Sequence, residues 1–278
     1  MIKLMYITND KSIAKVVDEA GVERVFVDME YIGKDKRQGG KDTVQNRHTA
    51  EDARAIKGVL KNAELLVRCN PIHGATAQYS SSKEEIDAIV ESGADIIMLP
   101  YFKTVEEVKT FIDLVGGRAK TFPLVETPEA VELIDEILEL DGIDEIFVGL
   151  NDLSLGYGMR FMFELLADGT VERLCNKFKA KGIPYGFGGI ASLGKGLLHS
   201  ELVIGEHYRL GSTSAILSRS FCNADKIGDI EKIKEIFDIE LNKIRAFEND
   251  CELGKIDFEQ NRASVGIAVA NIVEELRG

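Results

Sequence analysis

Cysteine is scarce in this chain, and what there is lies scattered. Cys69, Cys175, Cys222 and Cys251 form no CxxC pair, and no cysteine stands near a histidine at zinc spacing. This excludes a zinc module and a disulfide scaffold, and predicts reduced thiols in a cytoplasmic protein. Long apolar runs are missing too. None approaches the roughly 18–20 residues that span a bilayer, and no basic segment leads into an apolar one, so neither a membrane anchor nor a signal peptide is expected. Basic charge is in deficit: 34 Lys and Arg stand against 47 Asp and Glu, a formal net charge of −13. No broad face is left to neutralise phosphates, which argues against nucleic-acid binding. A small anionic substrate stays compatible, because one arginine or one metal ion can dominate a pocket. Low-complexity linkers and internal repeats are absent.

What is present is a globular chain of 278 residues, 45% of them apolar, long enough to bury a large core without a staple. Short apolar runs alternate with longer amphipathic ones. The runs predict strands over Lys3–Tyr6, Arg24–Asp28, Glu64–Arg68, Ile96–Leu99, Lys120–Val125, Glu145–Val148, Tyr185–Gly188 and His207–Leu210. Several are nearly continuous in Val, Ile and Phe, as strands buried on both faces are. Between them stand helix-start signals: capping boxes at Ser82–Glu85 and Thr104–Glu107, Thr127 before Pro128, and Thr49 before acids. Eight strands alternating with helices predict a (β/α)8 TIM barrel over residues 1–220, with an open doubly wound sheet as the rival. Residues 221–278 read as a C-terminal helical extension. Its apolar stripe at Ile227, Ile230, Ile233, Ile236 and Phe237 would pack on the barrel or on a neighbouring subunit.

In a parallel barrel the C-terminal strand ends share one face, where sites are built. Charged residues fall at those ends: Asp28 and Glu30 after the second strand, Arg68 at the third, Glu126 after the fifth and Asp152 after the sixth. Singly, each has a plain structural reading, Asp152 as a helix cap, Arg68 and Glu126 as ion-pair members, Asp28 and Glu30 as rim residues. Jointly, several acids with few bases are costly to bury. A hard divalent cation, Mg²⁺ or Mn²⁺, offsets that cost with one or two carboxylates and leaves positions for substrate oxygens.

The motifs Val27-Asp28-Met29-Glu30, Leu66-Val67-Arg68-Cys69-Asn70, Gly93-Ala94-Asp95 through Met98-Leu99-Pro100, Val125-Glu126-Thr127-Pro128-Glu129-Ala130, and Phe147-Val148-Gly149 through Asp152-Leu153-Ser154-Leu155-Gly156 resemble the HpcH/HpaI aldolase and citrate lyase β-subunit family. The resemblance runs from about Gly21 to Ser214. It implies a metal-dependent lyase on a barrel, with Glu126 and Asp152 as metal ligands and Arg68 polarising a keto or thioester oxygen. By the same resemblance Gly149, Leu150, Asn151 and Asp152 form the turn whose amides receive a substrate carboxylate, and Asp28 and Glu30 orient the site.

Two departures stand out. Tyr31 occupies the place of the histidine usual in the aldolase branch, and Leu124 that of a common glutamine. The loop after Tyr31 is long, basic and glycine-rich, Gly33 to Gly40 and on to Thr49; it reads either as a solvated loop or as a lid that brings in cations and His48. The proton could therefore pass through a metal-associated water beside Glu30, through His48, or through Tyr31. Gly189 to Gly196 mimics a phosphate-binding GxxxxGK but lacks the following Ser or Thr and sits after the seventh strand. Gly188-Gly189 and Gly211-Ser212 read as backbone-rich turns near the site. The expectation is a cytoplasmic, homo-oligomeric carbon–carbon lyase acting on a small anionic 2-oxo acid such as pyruvate. The alternatives are a citrate-lyase-like enzyme on an acyl-CoA substrate, and a barrel that binds metal or ligand without catalysis.

Overall fold

A computed structural model describes residues 1–33 and 48–277. Its eight strands are β1 (Lys3–Ile7), β2 (Arg24–Asp28), β3 (Glu64–Arg68), β4 (Ile96–Leu99), β5 (Lys120–Val125), β6 (Ile146–Val148), β7 (Tyr185–Ile190) and β8 (Ser214–Leu217), closed into a barrel in chain order. The interspersed helices are α1 (Lys11–Glu19), α2 (Ala50–Lys57), α3 (Ser82–Glu91), α4 (Val105–Val115), α5 (Pro128–Glu132), α6 (Ile134–Ile137), α7 (Leu150–Gly156), α8 (Glu164–Ala167), α9 (Thr170–Lys181) and α10 (Ser200–Leu210). After β8 come α11 (Ala224–Ile227), α12 (Ile230–Glu252) and α13 (Phe258–Glu275). This is a TIM barrel with a C-terminal helical extension. Contacts group the chain into two compact units, residues 7–147 and residues 1–6 with 148–278.

In residues 7–147, side-chain alternation sorts the strands into an inward and an outward face. Arg24, Phe26 and Asp28 share one face of β2, and their parallel register partners on β3 are Glu64, Leu66 and Arg68. All five residues of β2 are buried, as a strand sandwiched between a barrel interior and covering helices must be. The early end is closed by ions. Arg24, fully buried, donates both Nη groups to Glu145 and its Nε to Glu64, which also receives Lys120 Nζ at 2.6 Å. Above it lies an apolar layer in which Phe122 meets Phe147 edge-on, with ring centroids 5.8 Å apart. The charged residues at the late ends, Asp28 and Arg68, form the third layer.

Helix starts follow their caps. Thr49, Thr104 and Thr127 each accept an amide of the first turn, with Pro128 at the first helical position of α5. The box on α3 is one residue earlier than its sequence suggests: Ser81 and Glu84 form it. Ser82 instead bonds the His73 amide at 2.8 Å, and Glu85 turns inward and is buried.

In residues 1–6 and 148–278, β8 is not His207–Leu210. That segment is the last turn of α10, and β8 begins at Ser214. The apolar run Leu202 to Leu210 is helical because Val203, Ile204, His207 and Leu210 fall on one buried face, and Gly211, at φ +74°, ends the helix in a left-handed turn. Gly211-Ser212 therefore leads into β8 rather than following it, at the opposite end from the site. Gly188-Gly189 lies within β7 at an irregular register. The tail helices pack on their own chain: Phe237 is buried against Tyr6 and Phe221, Glu248 accepts the Ile2 amide, and Asn261 of α13 donates to Leu202 and Glu206 of α10.

His207 is fully buried, stacked on Phe187 at 3.9 Å, with Nδ1 on the Ser212 hydroxyl. Burial lowers its pKa to about 3. The folded state thus holds it neutral, while the unfolded chain protonates it below about pH 6.5. Its contribution is complete above pH 6.5 and is lost as the pH falls from there toward 3. Urea unfolding at pH 7 and pH 4.5 should show that His207→Phe, which keeps a stacked ring, loses about 2 kcal/mol less than wild type on acidification.

Candidate active site

At the late ends of β2 and β3, Asp28 and Arg68 are register neighbours, so their side chains leave the ladder on the same face. Arg68 takes Asp28 in a fork: Nε to Oδ1 at 2.8 Å and Nη2 to Oδ2 at 2.7 Å. Its Nη1 faces Glu30 Oε2 at 3.2 Å. Asp28 and Glu30 are 2% and 1% exposed. Burial alone would draw the Arg68 pKa down; the carboxylates of Asp28 and Glu30, and then of Glu126, hold it well above its ordinary value. One guanidinium thus stands in the field of three carboxylates.

The turn after β2 is fixed from below. Asp28 Oδ1 also accepts the Glu30 amide, and the Asp28 amide donates to His48 Nδ1 at 3.0 Å. His48, expected in a loop, is buried. With Nδ1 accepting, a neutral ring carries its proton on Nε2. Asn70 is the second anchor. Its Oδ1 accepts the amides of Tyr31 and Ile32, its Nδ2 donates to Met29 O and Glu85 Oε1, and its own amide donates to Glu85 Oε1. Burial pushes the Glu85 carboxyl up, against the pull of Asn70, and its Oε2 has no hydrogen-bond partner among the described residues. Tyr31 is pushed up as well, first by burial and then by Glu85 and Tyr79, so its phenol stays protonated. Residues 34–47, most of the basic glycine-rich loop, lie outside the described residues.

Glu126 continues the inward face of β5 and is 4% exposed. Its Oε1 accepts the Tyr101 amide at 2.9 Å. Tyr101 holds φ +48°, the one non-glycine residue with positive φ among those described. A left-handed conformation costs a side-chain-bearing residue about 1–2 kcal/mol. It persists here because the neighbouring turn is tied: Thr127 Oγ1 donates to Phe102 O, and Lys103 meets Glu129.

In residues 148–278, α7 is opened by Gly149, which has no side chain to cap it, and Asp152 stands in its first turn. Asp152 Oδ1 accepts Asn151 Nδ2 at 2.9 Å. Gly188, at φ +54°, faces Leu150, whose Cδ1 would lie 2.7 Å from an added Cβ. The left-handed φ favours glycine there, and a larger residue would also have to displace the end of the Leu150 side chain. His73 is structural: its ring nitrogens meet Pro71 O and Ser80 O. Among the described residues no group of three or more His, Cys, Asp and Glu is arranged to hold a metal.

A strand-end arginine among acids on a closed parallel barrel narrows the relatives. The model of the HpcH/HpaI aldolase/citrate lyase family matches residues 3–164, more than half of the chain. The chain belongs to this family. The family's chemistry is the making and breaking of carbon–carbon bonds of the aldolase and citrate-lyase kind. No curated protein matches in sequence. Among solved structures the chain is similar to an HpcH/HpaI aldolase/citrate lyase family protein from Burkholderia cenocepacia, with 13% identity, a TM-score of 0.62 and coverage of 84% of this chain and 95% of that one. It is also similar to an HpcH/HpaI aldolase from Desulfitobacterium hafniense, with 16% identity, a TM-score of 0.59 and coverage of 84% and 93%. Citrate synthase SbnG has the same identity, TM-score and coverage. At these identities the likeness is one of fold.

Sequence reading gave Asn70 and Tyr101 no role and gave Glu85 only that of a helix cap. Asn70 directly after a strand is a recognisable turn anchor, whereas a strained tyrosine leaves no signature. If Tyr101 serves through its backbone, the usual stability order inverts: Tyr101→Gly should be about 1 kcal/mol more stable than Tyr101→Ala in urea unfolding.

Proposed function

We propose that the chain is a divalent-metal-dependent carbon–carbon lyase that forms or cleaves a bond through the enolate of a 2-oxo acid such as pyruvate. The observation that carries this reading is the Arg68 fork on Asp28, a half-buried cation held at the strand ends beside the carboxylates of Asp28 and Glu30 and in the field of Glu126. A group of carboxylates of this kind also suits a hard cation. Glu126, and Asp152 from the helix after β6, are the proposed ligands; oxygen donors of this kind fit Mg²⁺ or Mn²⁺, which take one or two carboxylates from a protein. When bound, the cation would act as a Lewis acid toward the substrate's keto oxygen.

The chain's own groups divide the remaining work. An arginine has five N–H donors. Three Arg68 nitrogens each face a carboxylate, which leaves the second hydrogen of each Nη to meet a substrate oxygen and stabilise its growing charge. Asp28 holds the guanidinium in one plane. Gly149, Leu150, Asn151 and Asp152, with the close approach of Gly188 to Leu150, offer backbone amides to the substrate carboxylate. Neither Tyr31, a protonated phenol, nor His48, with Nδ1 engaged by the Asp28 amide, is arranged as a base. Glu30 is then the residue that positions the proton acceptor.

Solvent deuterium should enter pyruvate C3 only with added Mg²⁺ or Mn²⁺. Exchange confined to acetyl-CoA would favour the acyl-CoA reading instead, and metal binding without any exchange would favour a non-catalytic barrel. In calorimetry, Glu126→Gln and Asp152→Asn should each abolish Mn²⁺ binding in a folded protein; unchanged affinity in both removes them as ligands. Arg68→Lys keeps the charge but loses the planar fork. It should lower kcat by about tenfold or more while changing KM less.

We further propose a homo-oligomer. Ile239 of α12 and Ile267 of α13 are 46% and 65% exposed, apolar surface suited to a second copy. Light scattering at micromolar concentration should give a multiple of the 30.7 kDa chain mass.

A further inference from the structure

We propose that Asn70 and Glu85 are positioning residues of the lyase: together they set the peptide groups on either side of Glu30, and so the place of its carboxylate beside Arg68 when pyruvate loses a proton. The inference rests on the enolate reading above and adds two residues to that site.

Glu30 stands where the chain leaves the barrel wall. β2 ends at Asp28, and the Met29 amide still donates to Arg68 O at 3.0 Å. The chain then turns away, yet the Glu30 carboxylate stays 3.2 Å from Arg68 Nη1 and is 1% exposed. A glutamate side chain has three torsions, so its end is placed only where the backbone that bears it is placed. Asn70 does this from both sides. Its Nδ2 donates to Met29 O, the carbonyl before Glu30, at 3.3 Å. Its Oδ1 accepts the Tyr31 amide, the N–H after Glu30, at 3.0 Å, and the Ile32 amide at 2.9 Å. The Glu30 amide itself donates to Asp28 Oδ1 at 3.1 Å. A rotation of Glu30 about φ or ψ would carry one of these groups away from its partner.

Glu85 decides which way the Asn70 amide faces. That amide has an oxygen at one end and an NH2 at the other, and its last torsion is broad and roughly two-fold. Glu85 Oε1 accepts from Asn70 Nδ2 at 2.8 Å and from the Asn70 backbone amide at 3.1 Å. An ionised carboxylate offers acceptors only, so it draws the NH2 to itself and turns Oδ1 toward the Tyr31 and Ile32 amides. Helix α3 does not need this carboxylate for its cap, which is built from Ser81 and Glu84. Burying a carboxyl group is costly, yet Glu85 is buried while Glu84, one residue earlier, is exposed. The bonds that Glu85 makes in return run to the end of β3.

The step concerned balances without a redox partner. The C3–H bond of pyruvate breaks, its electron pair passes into the enolate, and a water beside Glu30 accepts the proton. A misplacement of about 1 Å at such a group costs about a hundredfold in rate. A pair of side chains that never touches substrate thus governs kcat.

The test uses the full chain with Mn²⁺ and pyruvate in deuterated water. It reads kcat and KM for deuterium entry at C3, and amide hydrogen exchange at Tyr31 and Ile32 by NMR. Glu85→Leu removes the acceptor of both Asn70 donors. It should lower kcat about tenfold or more and change KM by less than about twofold. Exchange at the two amides should quicken about tenfold, the effect of one ordinary hydrogen bond. Glu85→Gln keeps an oxygen for both donors and should recover most of kcat and of the amide protection. Asn70→Asp, of equal size, sets an oxygen against Met29 O and Glu85. It should show the same split as Glu85→Leu, and it carries the test if Glu85→Leu does not fold. Wild-type kcat in either folded variant, a change in KM alone, or a loss in Glu85→Gln as large as in Glu85→Leu overturns the positioning role. If wild type brings no deuterium into pyruvate, the enolate reading falls and this inference falls with it.

Discussion

The fork between Arg68 and Asp28 is the constraint on which the site depends. A buried ion pair is a poor source of stability, because desolvating both charges offsets much of their attraction. Its value is geometric. Asp28 is 2% exposed and holds two edges of the guanidinium, so the plane and reach of Arg68 are set before any substrate arrives. Removing Arg68 would leave the buried carboxylates of Asp28 and Glu30 facing one another without their shared cation, which is costly. Glu30 and Glu126 then add two further carboxylates to the field in which this guanidinium stands.

Around the fork, backbone groups do most of the aiming. Asn70 ties the turn after β2 through Oδ1 and one Nδ2 bond, and its other Nδ2 bond goes to Glu85, which secures it in turn. Tyr101 accepts an unfavourable φ so that its amide meets Glu126. His48 spends its Nδ1 lone pair on the Asp28 amide. Each of these contacts involves a backbone group, and together they fix the chain segments from which Asp28, Glu30 and Glu126 project.

The strand ends were legible in the sequence because burial on both faces writes long apolar runs, and a charge at the end of such a run is conspicuous. Arg24–Asp28, Glu64–Arg68, Ile96–Leu99 and Lys120–Val125 match the observed strands residue for residue. The eighth strand was misplaced because a buried helix and a buried strand carry the same short apolar run, and His207 is apolar in practice once its charge is suppressed. The cap at α3 slipped by one residue for a related reason. Three serines precede two glutamates, so two capping boxes were equally spelled, and only the inward turn of Glu85 separates them. Tyr101 acts through a backbone amide, an atom that every residue but proline has, and such a role has no side-chain signature.

The same distinction decides what the tyrosine at position 31 means. A histidine there would offer a proton acceptor near neutral pH. A phenol pushed further up by burial and by Glu85 offers none, so the substitution removes chemistry from the side chain while enlarging its apolar face. The backbone beneath is nonetheless held by two bonds to Asn70, an investment in the direction of a ring that does not titrate. A residue fixed in direction, without a proton to move, has shape as its remaining contribution. Its neighbour Tyr79, delivered by a loop that His73 closes, extends that shape. The late end of β2 thus joins two unlike surfaces, an ionic one at Asp28 and Glu30 and an aromatic one beginning at the very next residue.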